Sequence, residues 1–70
     1  MMYATSQDID RCKKLLIELI GEENIYDIEL AINNVMNISY SKGGGYSEKE
    51  LTAYIVVMKD TNDPRVFGKK

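Results

Sequence analysis

The sequence predicts an all-α fold, a small three-helix domain in which an αα-hairpin is followed by a third helix after a Gly-rich loop. Three observations carry this. Apolar residues recur at helical spacing in residues 6–20, 25–37 and 48–59. Thr5 with Asp8, and Ser47 with Glu50, have the spacing of a capping box in front of the first and third of these stretches. The connection at 21–23 is short enough to make the first two helices antiparallel neighbours.

The first helix is read over residues 6–20. Ile9, Cys12, Leu15, Leu16, Leu19 and Ile20 form one apolar arc on a helical wheel, and Asp10, Arg11, Lys14 and Glu18 fall opposite. Asp10 with Lys14 and Lys14 with Glu18 are opposite charges one turn apart, which supports the helix. Gly21 follows where a helix commonly ends on glycine.

The second helix is read over 25–37, with Asn24 as its N-cap and Asp27 and Glu29 near the positive end of the dipole. Ile25, Ile28, Ala31, Ile32, Val35 and Met36 make its core stripe. Asn33, Asn34 and Asn37 are poor helix formers and argue for an end near 37. From Met36 to Ser41 the pattern alternates apolar and polar, as a half-buried strand does.

Residues 41–46 read as a flexible loop. Segment 48–59 is helix or strand: Leu51, Tyr54, Ile55 and Met58 follow helical spacing, while Tyr54, Ile55, Val56 and Val57 are strand formers. Cap and periodicity agree on helix, and that consistency decides it. The competing fold is α+β, two helices packed on a β-hairpin that pairs 36–41 with 51–58, with a short strand at 65–67. The tail is 60–70, where Pro64 bars helix at the residue before it and Val66 and Phe67 are available to pack back.

A single domain is all that 70 residues allow, and a chain of this size builds a thin core. With Cys12 the only cysteine and no histidine, neither an intrachain disulfide nor the usual zinc site strengthens it. Good helix packing or a second copy of the chain remains, and the second is the first expectation, a homodimer. If 48–59 is helical, it is apolar all round, and two short helices cover one side of it. Ala53, Val56 and Val57 are left on the other side as the expected self-association surface.

No enzyme is expected. Without histidine, neither a Ser-His-Asp nor a Cys-His arrangement exists, and Cys12 sits on an apolar face as a small core residue. No cofactor and no metal is expected. Asp60, Asn62 and Asp63 lack the glycine and distal glutamate of a calcium loop. Asn37-Ile38-Ser39 matches a glycosylation sequon by chance, given no secretory signal. No apolar run reaches the length of a membrane span. The free thiol fits a reducing compartment, and the expected location is cytoplasmic.

What the sequence does support is a small protein-interaction module, an inhibitor, anti-repressor or adaptor of the kind mobile elements and phages encode. Tyr26, Leu30, Asn33 and Asn37 fall in line opposite the core stripe of the second helix, the mixture that interfaces favour. Glu22 and Glu23 open a segment, 21–41, that carries no positive charge and suits a basic partner. Tyr40 and Tyr46 flank the glycine loop and complete the expected contact set. Two alternatives are a small dimeric nucleic-acid-binding transcriptional regulator, with Arg65, Lys69 and Lys70 on phosphates, and a module that binds an anion or small ligand with the Gly43–Gly45 loop in front of a helix N-terminus.

Overall fold

The computed structural model describes residues 4–43 and 45–61, with the side chain of Thr61 excepted. Three helices, α1 (Ser6–Leu19), α2 (Ile28–Ser41) and α3 (Glu48–Thr61), each pack against both others. The described residues hold no strand, so the hairpin alternative does not form. Its possible strand at 65–67, and the tail beyond Thr61, lie outside the described residues.

α1 begins as the sequence predicts. The Asp8 N–H donates to Thr5 Oγ1 at 3.2 Å, and the Thr5 N–H donates to the Asp8 carboxylate at 2.9 Å. Its last carbonyls are taken by the N–H groups of Ile20 and Gly21, at 3.0 Å each. Gly21 has φ +96°, a conformation that a side chain disfavours. A Cβ there also sits 2.7 Å from Glu23 Oε1.

Between α1 and α2 lies a single 3₁₀ turn, Glu22–Asn24. Asn24 does not cap α2. Its side-chain amide instead donates back to the Ile20 carbonyl at 2.9 Å, closing α1. Asp27 takes the capping role, accepting the Leu30 N–H at 3.1 Å, and α2 starts at Ile28. Ile25 is therefore extended, yet buried in the core.

At its other end α2 runs four residues past the expected stop. The asparagines do not end it, because Asn33 and Asn37 point to solvent while Val35, Met36 and Ser39 are buried on the facing side. Burial of one helical face outweighs the weak propensity of the other. Gly43, at φ +71°, then turns the chain, with its N–H on the Tyr40 carbonyl at 3.0 Å.

The core is built from Cys12, Leu15 and Leu16 of α1, Ile25, Ala31, Ile32, Val35 and Met36 from the second segment, Tyr46, and Leu51, Ile55 and Met58 of α3. Leu51 and Ile55 are wholly buried. Each such side chain stabilises the fold by roughly 1.5–3 kcal/mol. Segment 51–58 thus supplies Leu51, Ile55 and Met58 to a core that all three helices share.

Candidate functional site

The loop between α2 and α3 is tied to all three helices. Ser39 Oγ, wholly buried, donates to the Gly45 carbonyl at 2.6 Å. The Gly45 N–H donates to Glu50 Oε2 at 2.8 Å, and the Glu50 N–H donates to Ser47 Oγ at 3.3 Å. Ser47 and Glu50 thus form half of the predicted capping box, and the Glu50 carboxylate reaches past it to Gly45. Arg11 Nη1 of α1 donates to the Tyr46 carbonyl at 3.0 Å and pairs with Asp8 at 2.9 Å. Nothing in the sequence announces that clamp, since Arg11 reads as a solvent-facing charge and its acceptor lies 35 positions away.

This arrangement bears on anion binding. The Gly45 N–H that would meet an anion already holds a carboxylate, and the Gly43 N–H holds a carbonyl. The loop carries its own negative group at the N-terminus of α3, where the helix dipole favours it.

Of the expected contact residues, Glu22, Glu23, Tyr26, Asn33, Asn37 and Tyr40 are exposed. Tyr26 is 60% and Tyr40 48% exposed, large values for aromatic side chains. Leu30 is half-buried against the core. Tyr46 is buried, so the hydrophobic body placed by the loop as a surface contact instead closes the core. Tyr26 precedes α2 and does not lie on its stripe. The line on the outer face of α2 is Asn33, Asn37 and Tyr40, extended at its N-terminal end by Leu30.

The second surface is the outward side of α3. Ala53, Val56 and Val57, named above as the self-association residues, are exposed, Val56 at 48% and Val57 at 54%. Lys49 and Asp60, also exposed, bracket them one to two turns away on the same face.

Two further features have limited chemistry. A shallow groove between α1 and the start of α3 is lined by Asp10, Arg11, Lys14, Glu18 and Glu48 over Leu15. Its charges are of both signs and make no metal-binding cluster among the described residues. Cys12 is wholly buried, and desolvation pushes its thiol up to about 11, far from a nucleophile's range. No helix among the described residues is long and apolar enough to cross a membrane.

Compared with protein-family models, with curated proteins and with solved structures, the chain matches none.

Proposed function

We propose that this protein is a non-enzymatic interaction module that acts in the cytoplasm by binding another protein through the outer face of α2, as an inhibitor, anti-repressor or adaptor does. The observation that carries the reading is the exposure of Tyr40 beside Asn33 and Asn37 on one helix face. Tyrosine with amide side chains is what interfaces concentrate, an apolar body with adaptable hydrogen-bonding groups around it. Tyr26 and the exposed Glu22 and Glu23 extend that character toward the N-terminal end of α2. Residues 21–41 carry no positive charge, so the complementary surface is basic. The unpaired Cys12 thiol supports a reducing compartment.

The test is affinity capture from the native host, followed by reconstitution of binding with both proteins purified. One stoichiometric partner is expected, with binding weakened about tenfold or more by Tyr40→Ala and the helical circular dichroism unchanged. Binding untouched by Tyr40→Ala, Asn37→Ala and Tyr26→Ala together rules this surface out. A steep salt dependence of binding to duplex DNA would replace the reading with the nucleic-acid one.

A further inference from the structure

The outer face of α3 has a charge pattern that the other described residues do not use. α3 is otherwise charged as a helix dipole prefers, with Glu48 and Glu50 in the first turn and Lys59 in the last. Lys49 and Asp60 break that order. A cation sits in the first turn and an anion at the end, each against the sign of the local dipole. Neither forms an ion pair among the described residues, where Arg11 with Asp8 is the salt bridge. Both are exposed, and both lie on the same face as Ala53 and Val56, in the series 49, 53, 56, 60 at helical spacing.

We propose that two copies of the chain pair α3 against α3, antiparallel, about a two-fold axis passing between Ala53 and Val56. In that register Lys49 of each copy lies level with Asp60 of the other, about 16 Å along the helix from its own Asp60. The two misplaced charges then meet each other, and each also meets the end of the neighbouring helix dipole that suits it. Ala53 of one copy is level with Val56 of the other, so a small side chain faces a larger one and the helices approach closely. Val57 shields one flank. A parallel pairing does the reverse, setting Lys49 on Lys49 and Asp60 on Asp60. The symmetry makes every contact occur twice. This surface is separate from the α2 face, and the two proposals stand or fall independently.

The face of one short helix is small for an interface, so association is sought at about 0.1–1 mM by sedimentation equilibrium. Wild type is expected to dimerise, and Val56→Asp to sediment as a folded monomer. The charge variants fix the geometry. Lys49→Asp and Asp60→Lys each create two like-charge contacts and raise the dissociation constant about tenfold or more. The double exchange, Lys49→Asp with Asp60→Lys, restores the pairs and returns the constant close to that of wild type. Each exchange also puts a favourable charge at its own helix end. The dilute monomer therefore keeps or raises its melting temperature, which separates lost association from lost folding. A wild type monomeric at about 1 mM overturns the proposal. So does a dimer that survives Val56→Asp, one indifferent to the single exchanges, or one that the double exchange fails to restore.

Discussion

Ser39 and Gly45 are joined by a 2.6 Å hydrogen bond in which the serine hydroxyl, wholly buried, donates to the glycine carbonyl. Ser39 is the buried polar residue among the described ones, and its partner sits at the end of the loop that leads into α3. Ser39→Ala keeps the helix and leaves the carbonyl without that donor. A loss of about 1–3 kcal/mol is expected, read as a lower urea midpoint at unchanged slope.

Glu50 acts on the same glycine from the opposite side, with its carboxylate on the Gly45 N–H. Glu50→Ala removes this charge-assisted bond and its contact with Ser47, and is expected to cost about 1–2 kcal/mol. Because the carboxylate fills the position, millimolar phosphate is expected to leave the Gly43 and Gly45 amide resonances of the wild type unmoved. Saturable shifts there would restore the anion-binding alternative.

The N-terminus of α1 responds to acid. The Thr5 N–H on the Asp8 carboxylate, with Arg11 beside it, holds that carboxyl below its ordinary 3.8. A lowered native value means that the contribution is complete above the unfolded value and disappears as pH falls through the native one. The stability gap between wild type and Asp8→Asn is therefore expected to be constant above about pH 5 and to close below about pH 4. A gap that widened in acid would contradict the assignment. Thr5→Ala should lower the melting temperature by a few degrees at neutral pH.

Cys12 reports on the core. At pH 7.5 a thiol with its value near 11 is ionised on the order of once in several thousand molecules, and it is wholly buried as well. Labelling by a disulfide reagent is expected to be slow in the native protein and rapid in urea. Leu16→Ala, beside it in the core, removes about 2–5 kcal/mol. That equals the stability expected of a domain this small, so labelling of the variant should approach the unfolded rate.

Two glycines differ in the backbone conformation they hold. Gly43→Ala meets open space and carries only the cost of φ +71°, about 1 kcal/mol. Gly21→Ala meets only the end of the exposed Glu23 side chain, which can swing aside, but its φ +96° with ψ +132° lies in a region kept essentially for glycine, so it should lose more. Equal midpoints for the two variants would contradict this difference.

Much of the architecture is legible in the sequence. The capping box at Thr5, the stop at Gly21 and the helical period of Leu51, Tyr54, Ile55 and Met58 all appear as expected. What was not legible has a physical cause in each case. Asn24 and Asp27 are equally good caps by type. The choice between them rests on the Ile20 carbonyl, which claims the Asn24 amide. The alternation at 36–41 resembles a strand because Ser39 is polar, but that serine lies inside the core with a partner six residues on. Tyr46 reads as a loop aromatic until Arg11 holds its carbonyl and the ring turns inward. At the surface, the outward side of α3 was legible from apolar count alone. The α2 face was legible only in part, because Tyr26 falls on it only if the helix includes residue 26, and it starts at Ile28.

Gly45 and Tyr46 bond to side chains from every helix, Ser39, Glu50 and Arg11. A helix cannot detach from this bundle without releasing that point and opening the core above it. Partial opening is therefore penalised almost as heavily as complete unfolding. The central amides of α1, α2 and α3 should exchange with deuterium at one common free energy, and a single two-state transition should describe the whole domain. Breaking Arg11 away from Tyr46 would then be felt first as a loss of cooperativity, with α1 exchanging ahead of the other two.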